Sequence, residues 1–122
     1  MGSERNDDNT VISFLKNDVK KFVEEREWAS YHTPKNLIQA LQIEAAELSE
    51  LLLFKEFTKD DIINDEILLN KISNEMADVL IYLISLSNCL NVDLAQSFIK
   101  KMEMNKNKYS IQEFNNGLYY KK

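Results

Sequence analysis

The chain has 122 residues, 44% of them hydrophobic, with two glycines and one proline, a composition that suits one helical domain and disfavours turn-rich β folds. A formal net charge of −5 excludes the usual electrostatic route to a nucleic-acid polymer, which runs on Lys and Arg neutralising phosphates; a nucleotide bridged to acidic residues by metal ions stays open. The single cysteine, Cys89, excludes an intrachain disulfide and points to a reducing, cytoplasmic setting, while no apolar run approaches the ~20 residues of a membrane span and the polar N-terminus carries no signal-peptide pattern.

Residues 1–9 read as a flexible N-terminus. The first helix is expected from about Thr10 to Arg26. There Val11, Phe14, Leu15, Val19, Phe22 and Val23 recur at helical spacing and form one apolar stripe. Lys16, Asp18, Lys20, Lys21, Glu24 and Glu25 fall on the opposite face. Trp28 to Thr33 reads as a connection. Thr33-Pro34 is a helix start, a hydroxyl N-cap followed by Pro at the first helical position, where its missing N–H costs nothing. The second helix is expected from Pro34 to about Phe54, with Leu37, Ile38, Leu41, Ala45, Leu48, Leu51 and Leu52 as its stripe. Lys55 to Asp65 is polar and reads as a loop with at most a short turn of helix.

The third helix is predicted from Glu66 to Leu90 and is apolar over much of its circumference. Such a helix belongs at the centre of a bundle or at an interface between subunits. Cys89, near its end, is expected to be a partly buried, inert thiol. Asn91-Val92-Asp93 offers a stop and a new N-cap. The fourth helix is expected over Leu94 to Lys106, with Leu94, Ala95, Phe98, Ile99 and Met102 turned inward. The tail from Asn107 has weak periodicity and reads either as a loose arm or as a segment packed on a partner subunit. Together the elements predict an all-α, antiparallel four-helix bundle over residues 10–109 with a tail over 110–122. So apolar a third helix leaves more hydrophobic surface than a chain this short can cover, and a homo-oligomer is expected.

The residues that carry chemistry are acidic. Glu44-Ala45-Ala46-Glu47 lies on the second helix and Glu75-Met76-Ala77-Asp78 on the third. Carboxylates three residues apart project from one helix face about a turn apart. A pair of this kind is common on a solvated surface. Two pairs on neighbouring helices, each flanked by small and apolar residues, can instead face one half-buried gap. Four carboxylates in such a gap repel one another and lose hydration, which is costly unless cations occupy it. Oxygen ligands in that number select Mg²⁺ or Mn²⁺, and Mg²⁺ shares its coordination with substrate phosphates. The pattern therefore suggests a metal–phosphate site made of helix side chains.

E-x-x-E followed by E-x-x-D on two helices resembles the signature of the MazG-like all-α nucleotide pyrophosphohydrolases. Arg26-Glu27-Trp28, Tyr31-His32, Pro34, Asn36-Leu37 and Glu47-Leu48-Ser49-Glu50-Leu51 extend the likeness toward the dCTP pyrophosphatase branch. So do Asp78-Val79-Leu80-Ile81-Tyr82-Leu83, Val92-Asp93-Leu94, and Lys101-Met102-Glu103 with Asn105 and Tyr109. The likeness runs from Phe22 to Tyr109. It implies that Glu44, Glu47, Glu75 and Asp78 hold Mg²⁺ and that Glu47 or Glu50 orients or deprotonates the attacking water. It implies substrate contacts at Trp28, His32, Asn36, Phe54, Tyr82, Lys101 and Asn105, with the lysine toward phosphate and the asparagine toward base or sugar. It further implies assembly as a dimer or tetramer. Phe54 stands where a second tryptophan is usual and can stack on a base without an indole N–H. Lys35 stands where an arginine is usual and cannot make a planar bidentate phosphate contact.

The implied reaction converts a nucleoside triphosphate to its monophosphate and pyrophosphate, with dCTP or a modified dCTP as substrate and removal of unwanted nucleotides as the role. Two other readings share parts of the pattern. One is a bundle that binds nucleotide–Mg²⁺ or a partner helix without turnover. The other is an oligomerisation domain whose acids are surface features.

Overall fold

The computed structural model describes residues 4–122. Met1–Ser3, part of the segment expected to be flexible, lie outside the described residues. Among the described residues there is no strand; the elements are α1 (Ile12–Glu25), α2 (Pro34–Glu50), α3 (Lys59–Ile63), α4 (Glu66–Leu90) and α5 (Leu94–Lys108), with short 3₁₀ turns at Ala29–Tyr31 and Asn115–Gly117. The chain divides into two compact units, one ending at Asn91 and the other running from Val92 to Lys122.

Local chemistry sets the helix starts. Thr33 Oγ1 accepts from the Asn36 N–H at 3.2 Å and Pro34 follows it. Thr58 and Asp61 form a reciprocal capping box at the head of α3, each side chain satisfying a backbone N–H that the helix leaves unpaired. Asp65 accepts from the Leu68 N–H at 3.0 Å and opens α4, and Asp93 accepts from Gln96 at 2.9 Å and opens α5. Asn91 ends α4 in the left-handed region at φ 54°, where Asn is tolerated better than most residues because its short amide bonds locally.

The second helix stops at Glu50, four residues before the expected end at Phe54. Beyond Glu50 the N–H groups of Leu52, Leu53 and Lys55 bond three residues back, and Phe54 then adopts φ 62°. The apolar pattern runs through Leu52, but the backbone has already tightened into turns. The polar stretch after it holds the short helix α3, and the last helix extends to Lys108.

In the first unit α4 is the organising element, packing most extensively on α2 and also on α1 and α3. Leu37 of α2 and Ile84 of α4 are the buried apolar residues among those described. An Asn88 amide of α4 donates to the Lys16 carbonyl of α1 at 3.0 Å and ties these helices across 72 residues of sequence. Two α1 aromatics that remain partly exposed carry a guanidinium on the ring: Arg5 over Phe14 at 3.7 Å and Arg26 over Phe22 at 3.8 Å, contacts of the cation–π kind. No single helix is long and apolar enough to cross a membrane.

The second unit corrects two expectations. Phe98 (67% exposed), Ile99 and Met102 do not turn inward, because α5 is the only α-helix of its unit and its apolar stripe has no second helix there to pack on. The tail is not a loose arm. The Phe114 ring lies tilted at 5.3 Å from Tyr109 and 4.7 Å from Tyr120, the Lys122 N–H donates to the Tyr109 hydroxyl, and Glu113 takes both the Tyr120 hydroxyl and the Lys122 ammonium. This pairing holds the Glu113 carboxyl below its usual range, first through Lys122 and then through Tyr120.

The Asp65 cap generates the first test. Asp65→Ala leaves a backbone N–H of α4 without its partner and is expected to cost about 1 kcal/mol, measured as a lower urea midpoint at unchanged slope. An unchanged midpoint would show that the cap adds nothing to the start of α4.

Candidate active site at the contact of α2 and α4

The packing of α4 on α2 brings their acidic faces together. Glu44, Glu75 and Asp78 each offer a carboxylate oxygen, and these atoms all lie within 4.8 Å of one another. All three residues are half-buried. Glu47 is exposed and hydrogen-bonded to Glu44, a contact that needs a shared proton. That bond is the largest cause lifting Glu44 from 4.5 to about 7; burial and the charges of Glu47, Asp78 and Glu75 add to it. Burial, then the charges of Glu47 and Asp78, push Glu75 upward too, against a lowering hydrogen bond from Glu44.

Two of the oxygens, Glu44 Oε2 and Glu75 Oε2, are shut off from solvent and accept no hydrogen bond. Buried acceptors of this kind are costly unless a donor or cation meets them. The set fits a divalent cation, since all the donors are oxygens and two have nothing else to bind.

A second feature lies further along α4. A cavity of about 530 Å³ opens between α1 and the C-terminal part of α4, a size in the range of small-molecule sites. Lys16, Val19 and Val23 line it from α1, His32 from the connection, and Ser85 and Cys89 from α4. Along α4, Asp78, Tyr82, Ser85 and Cys89 are spaced by four, three and four residues, which places them on one stripe. Seven residues of helix, from Asp78 to Ser85, advance roughly 10 Å along the axis and return to the same face within about 20°. One face of α4 thus runs from the carboxylates to the cavity.

The dCTP pyrophosphatase 1 of Mus musculus is 37% identical over 95 residues, covering 75% of this chain and 54% of that protein. The Homo sapiens dCTP pyrophosphatase 1 is 34% identical over 93 residues, covering 73% of this chain and 53% of its own length. The chain spans about half the length of the curated relatives it matches. A solved pyrophosphatase from Archaeoglobus fulgidus superposes with a TM-score of 0.74 at 30% identity, over 90% of this chain and 98% of that one. No family model matches the sequence. The chain belongs to the MazG-like nucleotide pyrophosphohydrolases.

The MazG-like pattern placed its other residues as follows. Trp28 is partly exposed and meets Phe22 edge-on at 5.8 Å. The Asn36 amide nitrogen donates to the Tyr31 carbonyl at 3.0 Å and pins the 3₁₀ turn that carries the connection. Tyr82 is half-buried between the carboxylates and the cavity stripe. Glu50 is exposed at the last residue of α2. Phe54 is 97% exposed in the turn beyond it. Lys101, exposed, and Asn105, half-buried, lie on α5 in the second unit.

Three features of the cavity escaped sequence reasoning. Lys16 and Lys20 were assigned to a solvated face, yet both line the cavity, because α4 covers more of α1 than its apolar stripe alone. Cys89 is exposed rather than partly buried, since it faces the cavity mouth. Ser85 and Ser87 are buried; the signal for them was two small polar residues inside an otherwise apolar run.

The carboxylate cluster sets a pH dependence in the metal-free chain. A carboxyl raised above its ordinary value stabilises the fold fully below 4.5, and that contribution is lost as pH rises through about 7. The EDTA-treated chain is therefore expected to have a lower urea midpoint at pH 8 than at pH 5. Glu44→Gln, which cannot ionise, should flatten this difference; the same difference in both proteins would remove Glu44 as its origin.

Proposed function

We propose that the chain hydrolyses a nucleoside triphosphate to the monophosphate and pyrophosphate, with deoxycytidine triphosphate or a modified form of it as the preferred substrate. The observation that carries this reading is the convergence of Glu44, Glu75 and Asp78 with two buried oxygens left unpaired. That the mouse and human relatives are dCTP pyrophosphatases supports the choice of substrate.

Glu44, Glu75 and Asp78 would hold the metal, with Glu47 beside them. A divalent ion there, Mg²⁺ or Mn²⁺ by preference for oxygen ligands, supplies the positive charge that neutralises the triphosphate and makes water more acidic. Glu47, at the exposed rim, keeps an oxygen available to accept the proton of the attacking water; Glu50, one turn on, is the alternative base. One phosphorus–oxygen bond forms to water, the bridging bond to pyrophosphate breaks, and the water's proton passes to the carboxylate.

The α1–α4 cavity is the place for the nucleoside. With the phosphates at Asp78, the sugar and then the base extend along the stripe through Tyr82 toward Ser85 and His32. Trp28 and Phe54 provide aromatic faces for a base, and Asn36 supports the connection that carries His32; the resemblance assigns Lys101 to phosphate and Asn105 to base or sugar.

Copies of the chain assemble, in this proposal, as a dimer or tetramer. Met76, Leu80, Leu83 and Leu90 of α4 and Phe98 and Ile99 of α5 are exposed in the isolated chain, and apolar surface on that scale is what subunit interfaces bury. Sedimentation equilibrium should give a mass that is a multiple of 14.3 kDa. A monomer at every concentration tested would end the assembly proposal.

The function is tested by following monophosphate and pyrophosphate release from a panel of ribo- and deoxyribonucleoside triphosphates, with Mg²⁺ and with EDTA. Metal-dependent release ranked with dCTP first is expected, and Glu44→Gln or Glu75→Gln should each lower kcat/KM at least about 100-fold, as loss of a site for charge stabilisation does. Full activity in both variants would move the site elsewhere. No turnover by a folded, metal-loaded protein would replace the enzyme with a nucleotide-binding bundle.

A further inference from the structure

One wall of the cavity holds a buried serine whose hydroxyl has no protein partner. Ser85 is 5% exposed, lies in the C-terminal part of α4, and lines the cavity. Its neighbours on the same helix are committed. The Ser87 hydroxyl donates to the Ile84 carbonyl at 2.7 Å, and the Asn88 amide donates to the Lys16 carbonyl at 3.0 Å. The Ser85 hydroxyl makes no hydrogen bond among the described residues. A serine inside a helix commonly bonds back to its own helix, as Ser87 does two residues further on. The Ser85 oxygen is not shut off from solvent as Glu44 Oε2 and Glu75 Oε2 are, so its free hydrogen-bonding capacity opens into the cavity, and alanine is the better helix residue.

We infer that Ser85 is a specificity-determining residue whose hydroxyl makes its hydrogen bond to the polar edge of the nucleobase when substrate fills the cavity. This rests on the proposed function and deepens it. Position favours the base over the sugar. Ser85 lies two helical turns beyond Asp78 on the same face, and in a nucleotide the sugar intervenes between phosphate and base, so the group that reaches a point two turns away is the base. The flanking side chains fit a heterocycle: Val19 and Val23 give apolar contact, and the half-buried His32 imidazole lies on the same wall. A hydroxyl both donates and accepts, so Ser85 favours any base with a hydrogen-bonding edge at that point and disfavours a ligand that has none. A site built around such a group discriminates because the group goes unpaired with the wrong ligand.

The molecule carries its own reporter for the test. Cys89 is the only cysteine, it is exposed, and it lines the same cavity one turn beyond Ser85. Alkylation of Cys89 by iodoacetamide therefore reads occupancy of the cavity without turnover. The ligands are an α,β-imido analogue of dCTP, which resists cleavage, and methyl triphosphate, which has no base, each with Mg²⁺. In the wild-type protein the imido nucleotide should slow alkylation of Cys89. In Ser85→Ala the concentration needed should rise about three- to tenfold, the size of one lost hydrogen bond, and kcat/KM for dCTP should fall by the same factor, mainly through KM. Hydrolysis of methyl triphosphate should not change.

Ser85→Ala should also leave the unliganded protein as stable as the wild type or slightly more stable, the reverse of what loss of a structural hydrogen bond does. Equal protection and equal kcat/KM in the two proteins would overturn the role of Ser85 while leaving the nucleoside in the cavity. Alkylation that the nucleotide does not slow in the wild type would overturn both, because the cavity would not be where the base binds. A clear loss of stability in Ser85→Ala, with dCTP and methyl triphosphate affected alike, would make Ser85 structural.

Discussion

Like charges forced together between two packed helices are the constraint on which the rest of this structure depends. Glu44, Glu75 and Asp78 present oxygens within 4.8 Å of one another, and Glu47 bonds to Glu44 at the rim. Nothing about helix formation asks for this. Leu37 and Ile84, with the flanking apolar residues, supply the attraction between α2 and α4, and the carboxylates oppose it. Glu44 is raised to about 7 first by its hydrogen bond with Glu47 and then by burial, and the charges of Glu47, Asp78 and Glu75 add to the rise. The same stress makes the gap a place for a cation, because a positive charge removes the repulsion and satisfies the unpaired oxygens together.

Burial elsewhere is sparse. Ile67, Met76, Leu80 and Leu90 keep much of their surface in water, although α4 is the most contacted helix of its unit. A helix that is apolar around most of its circumference cannot be covered by α1, α2 and short α3 alone. The guanidinium groups of Arg5 and Arg26 lie on Phe14 and Phe22, which shields aromatic surface that no helix covers. The proposal that copies of the chain assemble answers the same shortage on a larger scale.

The cavity between α1 and α4 exists because two small, polar residues interrupt the apolar run of α4. Leucines at 85 and 87 would have filled the space against Val19 and Val23; serines leave it open. The Asn88 amide then holds α1 to α4 at the cavity's edge, so the opening is kept by a hydrogen bond between side chain and backbone as well as by packing.

Much of this could be read directly from the sequence. Helix starts were legible because capping is local: Thr33-Pro34, Asp65 and Asp93 meet partners three residues away. The acidic pairs were legible because carboxylates at i,i+3 beside alanines project from one face whatever the rest of the chain does. The end of α2 was not legible, since Leu51 and Leu52 keep the apolar rhythm while the backbone bonds shift to tighter turns. The outward stripe of α5 was not legible either, because periodicity reveals an apolar face but not whether anything packs on it. The sequence by itself determined which residues form helices, where most helices begin, and which carboxylates belong to a common chemistry. Only the tertiary structure decided that Glu44, Glu75 and Asp78 meet, that Lys16 and Cys89 border a cavity, and that the buried Ser85 lines it, because each of these depends on which helix lies opposite, and that is set by packing over long separations rather than by neighbours along the chain.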